Sequence, residues 1–363
     1  MVILGINAYH ADSSAAIFVD GKLVAAIEEE RFRRVKHWAG FPQMAIQFCL
    51  KEAGIGFEHV DYFAIGRDPK AKFFNKLWYL LKNPSGSFSA VKNRFENARK
   101  VSSIEKELSD ISGLTPDIFK NKIQQIEHHR SHLASAFFAS PFEEAACVSI
   151  DGSVVFTTTM TGIGKGNEIE ILDSVDFPHS IGIFYTALTQ LLGFPHYGDE
   201  YKIMGMAPYG NPQYIDKLEK VIHLTNDGLF RLNLDYFRKG TEGVISYGDD
   251  HIPVVQPMYS DAMVNLFGNP RTKEEPLTQY HKDLAASVQK ITEQTIFHIL
   301  ESLQNKTGLK NLCLAGGVAQ NSVANGKIKT NTSFSGVYIP SAGHDAGISM
   351  GAALYVQHQL LKK

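Results

Sequence analysis

Glu144-Ala145-Ala146-Cys147-Val148-Ser149-Ile150-Asp151-Gly152 is an apolar strand that stops on an acid and a glycine. The chain opens in a similar way, on the apolar run 2–8. Runs at 15–19 and 23–27 then read as two more strands, with Asp20-Gly21 between them as a tight-turn signal for a hairpin. After Gly152 the pattern recurs: strands are expected at 156–162 and 168–175, joined by a Gly-rich turn at 162–167. Helical spacing follows the first copy over 41–53 (Met44, Ile46, Phe48, Cys49, Leu50, Ala53), and another strand is expected at 60–65. Two strand–turn–strand starts, each followed by helices, imply two related lobes and not a short-period repeat.

The last third of the chain extends this reading. Tyr280, Leu284, Val288, Ile291, Thr295, Ile299 and Leu303 recur at three- or four-residue steps, which predicts a helix over 277–305 stopped by Gly308. Two strand–loop–helix units follow. The first runs from 312–314 through Ala315-Gly316-Gly317 into a helix over 321–328. The second runs from 337–339 through 340–343 into a helix over 348–361. Strands alternating with helices give an α/β class. The expected division is a lobe one over 1–143, with a helical insertion at about 67–125, and a lobe two over 144–363 that carries the loops.

Composition agrees with a bilobal protein, since 363 residues suit two units of roughly 150 each. Thirty-six basic and 38 acidic side chains leave a net charge of −2, which offers no global field for nucleic acid. Cys49, Cys147 and Cys313 lie far apart, as expected of reduced, buried thiols in a cytoplasmic protein. No apolar run approaches the roughly 18 residues that span a bilayer, so neither secretion nor membrane insertion is expected. One segment departs from the balance. Residues 67–100 hold nine basic side chains against two acids, interleaved with aromatics such as Phe73, Phe74 and Trp78. The plain reading is a helical cap with a solvated basic face. The sharper one is a docking surface for an anionic substrate or partner; no nucleic-acid module is recognisable.

Five stretches can carry chemistry. In Glu127-His128-His129-Arg130-Ser131-His132, a helix would bring His128 and His132 onto one face, where both imidazoles could reach one metal; a helix start with surface histidines is the competing reading. His10 and Asp12 follow the first strand and could set a base and a carboxylate in a cleft, or form an ordinary polar turn. Gly316-Gly317 and Ser341-Ala342-Gly343 sit between strand and helix, where backbone N–H groups can approach an anionic ligand, and His344 and Asp345 lie at the mouth of the second loop. The segment 198–210 is dense in Gly, charge and Met; Glu200 and Lys202 are expected either to pair with each other or to line a substrate loop.

Together these residues resemble the O-carbamoyltransferases that modify nodulation factors, cephalosporins and aminoglycosides. The matching pieces include Gly5-Ile6-Asn7 with His10 and Asp12, then Glu28-Glu29-Glu30-Arg31-Phe32 and Lys36-His37. They continue with 128–135, with Lys202 and Met204-Gly205-Met206-Ala207-Pro208-Tyr209-Gly210, and with Phe267-Gly268 and Arg271. Ala315-Gly316-Gly317 with Asn321 and Asn325, and Ser341-Ala342-Gly343 with Asp345, close the set. The resemblance implies a two-lobed actin/hexokinase-like fold, a duplicated ribonuclease H-like unit related to the tRNA threonylcarbamoyl transferase.

It also implies iron(II), or another divalent metal, held by His128, His132 and Asp345. ATP, ADP or carbamoyl-adenylate would lie on Gly316, Gly317, Asn321, Ser341 and Gly343, with Lys202 among the nucleotide-binding groups. His10 would deprotonate an acceptor hydroxyl, with Asp12 beside it, and Lys36 would hold the carbamoyl donor. The acceptor would be a small hydroxylated molecule such as a sugar or natural product, and the protein could be oligomeric.

Two departures bear on activity. The family's second domain, which makes carbamoyl-adenylate, is expected to be lacking, because the chain ends at Lys363 just after the last helix; activation would then come from another subunit. The family's Asp-Gly-x-Gly-Asp pattern reads Asp151-Gly152-Ser153-Val154-Val155 here, and Tyr201 stands where a glycine is usual. Val154 and Val155 support the alternative, a non-catalytic, partner-dependent subunit that keeps the nucleotide and metal scaffold, whereas the intact His10, Lys36, His128, His132 and Asp345 support the leading reading, a carbamoyl-transfer enzyme. A sugar kinase or ATPase of the same fold would have no use for the paired histidines.

Overall fold

β1 (Val2–Asn7) is buried along its whole length because it runs mid-sheet with a layer on each face. Its alternating side chains divide accordingly. Val2, Leu4 and Ile6 pack with Ala45, Ile46, Cys49 and Leu50 of the helix Gln43–Ala53, whereas Ile3 faces a second cluster with Leu133, Ala134 and Ala352. Burying a side chain such as Leu4 or Ile6 stabilises the fold by about 2 kcal/mol. The computed structural model describes residues 1–82, 104–152, 156–238, 245–247 and 251–363.

The first sheet joins β1 to β2 (Ser14–Val19), β3 (Lys22–Glu28), β4 (Tyr62–Ile65) and β5 (Ile123–Gln125) in the order β3-β2-β1-β4-β5. β1 to β3 are antiparallel neighbours, while β4 and β5 run parallel to β1. The second sheet contains β6 (Glu144–Ile150), β7 (Thr157–Lys165) and β8 (Glu168–Asp176). Two short antiparallel pairs come next along the chain, β9 (Ile222–Leu224) with β10 (Phe230–Leu232) and β11 (Ile245–Tyr247) with β12 (Pro253–Val255). β13 (Asn311–Ala315) and β14 (Gly336–Tyr338) then complete the second sheet as β8-β7-β6-β13-β14. Its antiparallel and parallel pairings repeat those of the first sheet strand for strand. The duplication legible in the two strand–turn–strand starts is therefore a duplication of whole sheets.

Between the sheets lies a shared core. The helix that follows β5, His128–Phe137, and the helix that follows β14, Ile348–Leu354, pack on each other there with Ile3, Cys147 and Cys313. Glycine permits the approach: a Cβ on Gly351 would lie 1.9 Å from the carbonyl oxygen of Ser131, and one on Gly5 would lie 1.8 Å from that of Ser349. The outer face of the second sheet is covered by the helices Ile181–Leu191 and Gln279–Thr307. The latter starts at a reciprocal Thr278–His281 cap and stops at Gly308 in the left-handed region, φ +70°.

Three expectations need correction. The β7–β8 ladder closes at Lys165 and Glu168, so the turn is Gly166-Asn167; Gly162 and Gly164 lie inside β7. Glycine at 164 makes room for the Phe137 ring, which a Cβ there would meet at 2.4 Å. No continuous helix spans 321–328. Asn321 accepts a hydrogen bond from the Ala324 N–H and starts a separate turn, Ser322–Asn325, between short turns at Val318–Gln320 and Ile328–Asn331. The last helix is α-helical only over Ile348–Leu354 and then widens into π-helical turns at Tyr355–Leu360.

Of the basic segment, the helix Phe73–Lys82 is described, while Lys92, Arg94, Arg99 and Lys100 lie outside the described residues. Lys72 pairs with Asp176 at the end of β8 and donates to Ser174 at 2.8 Å, so one of these charges ties the insertion to the second sheet. Ser153, Val154 and Val155 also lie outside the described residues.

Candidate functional site

The helix His128–Phe137 is capped by Glu127, whose carboxylate accepts from the Arg130 N–H at 2.9 Å. It is buried between the sheets, and the four-residue spacing puts His128 and His132 on one face with ring centroids 4.7 Å apart. Two carboxylates meet them from the other half of the molecule. Asp151 follows the last residue of β6, and Asp345 precedes the helix after β14. The Asp151 Oδ2 lies 3.0 Å from His128 Nε2 and 3.2 Å from His132 Nε2; Asp345 Oδ1 lies 3.4 Å from each. All four donor atoms fall within 4.8 Å of one another, and all four residues are buried.

Burial alone would neutralise these groups, but each answers to its neighbours. Burial depresses His128, yet Asp345 and Asp151 outweigh it and lift the imidazole to about 10. Burial and Asp345 push Asp151 up, but hydrogen bonds with His128 and His132 hold it well below the usual carboxylate range. Asp345 is likewise held low against burial by His128, His10 and His132. His129 turns the other way: its Nδ1 meets Ser149 Oγ and its Nε2 meets the Thr157 carbonyl, each at 2.8 Å, and burial lowers it to about 4. It holds the helix to the second sheet.

The quartet suits a divalent first-row metal. Both Asp345 carboxylate oxygens, which face the two imidazoles, are buried without a hydrogen-bond partner. Buried polar atoms left so are costly unless something else satisfies them, and two imidazoles with two carboxylates form a donor set such ions favour. His10 stacks on His128 with centroids 5.1 Å apart, its Nδ1 is 3.7 Å from Asp345 Oδ2, and neither ring nitrogen has a hydrogen-bond partner.

A cavity of about 300 Å³ opens beside the quartet, and Asp151 belongs to both. Asp12 and His37 come to it from lobe one, and Tyr185, Glu200, Gly317 and Asn321 from lobe two. Ser180 shapes this wall. Its hydroxyl caps the helix Ile181–Leu191 by accepting from the Ile183 N–H, and it donates to the carbonyls of Asp151 and Gly152. Gly316, at φ +99°, lets β13 turn sharply against the Ile150 carbonyl and donates to the Gly343 carbonyl at 2.7 Å. The Gly317 N–H then donates to Asp151 Oδ1 at 2.9 Å.

The family described as carbamoyltransferase N-terminus matches residues 2–354. The chain belongs to the carbamoyltransferase family. It is 42% identical over 372 aligned positions to the uncharacterized protein sll1178 of Synechocystis sp., covering 99% of this chain and 57% of that one. It is 32% identical over 355 positions to the nodulation protein NolNO of Sinorhizobium fredii, covering 98% and 47%. The chain thus spans about half the length of these relatives. Among solved structures, component A of the (R)-2-hydroxyglutaryl-CoA dehydratase of Acidaminococcus fermentans aligns at a TM-score of 0.51 and 13% identity, with full coverage of both chains. The fold of this carbamoyltransferase-family chain is the two-lobed actin/hexokinase-like one.

Within the family frame the expected site residues separate by position. His128, His132 and Asp345 come together, and Asp12, Gly317 and Asn321 line the cavity. Gly316 and Gly343 support it through their mutual hydrogen bond, while Ser341 is exposed and away from the lining. Lys36 is exposed, and His10 is buried behind the lining at 1% accessibility.

The expected Glu200–Lys202 pair does not form. Lys202 binds Asp199 at 2.6 Å, and Glu200 turns into the cavity, where its Oε1 accepts from the Thr186 hydroxyl at 2.5 Å. Burial pushes the Glu200 carboxyl up. Asp151 was visible in sequence as the end of a strand and the start of the Asp-Gly-x-Gly-Asp pattern, but not as a metal ligand, and His37 only as the neighbour of Lys36. Their signal is spatial, since each acts with residues from a distant part of the chain.

Proposed function

We propose that the protein transfers a carbamoyl group from carbamoyl-adenylate, or carbamoyl phosphate, to a hydroxyl of a small molecule such as a sugar or natural product. The observation that carries this reading is the buried His128–His132–Asp151–Asp345 quartet sharing Asp151 with an open cavity. These four residues would hold iron(II) or another divalent ion, which when bound supplies a Lewis acid for the polarised donor. The Gly317 end of the loop after β13, with Asn321, is where the adenylate would rest, and the tie from the Gly316 N–H to the Gly343 carbonyl keeps the 341–343 loop in register behind it. Lys36, exposed on the loop that brings His37 inward, would draw the anionic donor toward the cavity. Formation of carbamoyl-adenylate from carbamoyl phosphate and ATP is assigned to a separate domain or subunit.

Purified protein supplied with preformed carbamoyl-adenylate, or with carbamoyl phosphate plus ATP, should carbamoylate members of a panel of hydroxylated acceptors, read by mass spectrometry. Elemental analysis of the same sample should find iron. Failure to transfer from preformed adenylate, with metal bound, would sink the catalytic reading and favour a scaffold subunit.

A further inference from the structure

We propose that His37, oriented by Asp12, is the group that takes the proton from the acceptor hydroxyl. This rests on the carbamoyl-transfer reading above. His37 Nδ1 lies 2.7 Å from Asp12 Oδ1, and both residues line the cavity. A carboxylate on Nδ1 fixes that nitrogen as the donor and leaves Nε2 with its lone pair outward, the arrangement a general base requires. Among the described residues Nε2 has no hydrogen-bond partner.

The backbone has been bent to obtain this contact. His37 and Asp12 both adopt φ of +58°, which costs a non-glycine residue energy and is tolerated where the surrounding structure enforces it. The enforcement is visible. Glu30 Oε2 accepts from the His37 N–H at 2.8 Å, the Asn7 amide donates to the Asp12 carbonyl at 3.2 Å, and Tyr197 meets the His37 ring edge-on. From the opposite half, Gly198 sits against the ring: a Cβ there would lie 2.6 Å from Nε2. A side chain at 198 would cover the nitrogen that glycine leaves open.

His10, which the sequence suggests for this role, is placed differently. It lies behind the cavity wall against Asp345 and His128 and does not line the space an acceptor would enter. In the proposed step the acceptor O–H bond breaks and its proton passes to His37 Nε2. The acceptor oxygen forms a bond to the carbamoyl carbon, and the bond from that carbon to the phosphate oxygen breaks, its electron pair leaving with AMP. No oxidant or reductant is required.

The test compares two nucleophiles with preformed carbamoyl-adenylate. One is the panel of sugar hydroxyls; the other is hydroxylamine, which attacks through a nitrogen lone pair and needs no prior deprotonation. His37→Gln should lower transfer to hydroxyls by about 100-fold or more while transfer to hydroxylamine stays within about threefold and metal content is unchanged. Asp12→Asn, which disturbs the choice of protonated nitrogen, should show the same split with a smaller loss.

Retention of hydroxyl transfer by His37→Gln overturns the proposal. So does the split appearing in His10→Gln instead, which would return the role to His10. A wild-type protein silent toward both nucleophiles means that the carbamoyl-transfer reading has failed, and the base falls with it. Equal loss toward both nucleophiles in the His37 and Asp12 variants assigns the pair to architecture and overturns the catalytic role.

Discussion

The two halves share a five-stranded topology, yet they finish the same strands with different chemistry. In lobe one, β1 ends on Asn7, whose amide donates to the carbonyls of Ala11, Asp12 and Asp345 and so braces backbone. In lobe two, the corresponding β6 ends on Ile150 and delivers Asp151 straight into the quartet. The helices that follow the last strand of each sheet are also counterparts. One begins with His128 and carries His132; the other is preceded by Asp345. Lobe one thus supplies both imidazoles and lobe two both carboxylates. Duplication provides the frame, and the divergence of its ends makes a heteroatomic site that neither half could build alone.

That division of labour can be broken at its centre first. His132→Ala and Asp151→Asn remove one donor from each half, and both should lose bound metal at stoichiometric loading and abolish carbamoyl transfer. Elemental analysis after gel filtration decides it, and full metal retention in Asp151→Asn would show that lobe two contributes only Asp345.

The helix contact comes next. Gly351→Ala adds a methyl where the Ser131 carbonyl already stands, so the variant should be destabilised by about 1–3 kcal/mol, seen as a lower midpoint in urea. An unchanged midpoint would mean that the two helices can part without cost.

A smaller effect compares one sheet-packing helix from each half. Gln43–Ala53 has no local cap and is met from afar by buried Glu29, whose carboxylate accepts from the Ala45 N–H at 2.8 Å and pairs with Arg33. Ile181–Leu191 is capped by its own Ser180. Ser180→Ala should cost about 1 kcal/mol, and Glu29→Gln, which keeps the shape but loses the charge, a similar amount or less. If Ser180→Ala also slows transfer, its grip on the Asp151 and Gly152 carbonyls matters to the site as well as to the helix.

Most of the frame was legible because it is local. Apolar runs and the Asp20-Gly21 turn locate β1 to β3, and three-to-four spacing with Gly308 locates the long helix. The His128–His132 pair was legible for the same reason, as both sit on one turn of one helix. Asp151 was not legible as a ligand, because its partners are 19 and 23 residues away and reach it only through sheet packing. The Glu200–Lys202 expectation failed on helical geometry. Residues 200–206 form a helix, residues two apart on a helix point away from each other, and Asp199 three residues back is the natural partner of Lys202. Glu200 is free to face the cavity for that same reason.

The contact of Gly351 with the Ser131 carbonyl also has a mechanical side. Backbones this close resist sliding along each other, so together with the Gly5–Ser349 approach this contact pins the halves at their shared core, and a change of angle between them would turn about that region. His132 and Asp345 flank it and would keep their spacing through such a swing. The rim, where His37 of one half faces Gly198 of the other, would travel farther: a small rotation opens the mouth of the cavity and leaves the metal donors where they are.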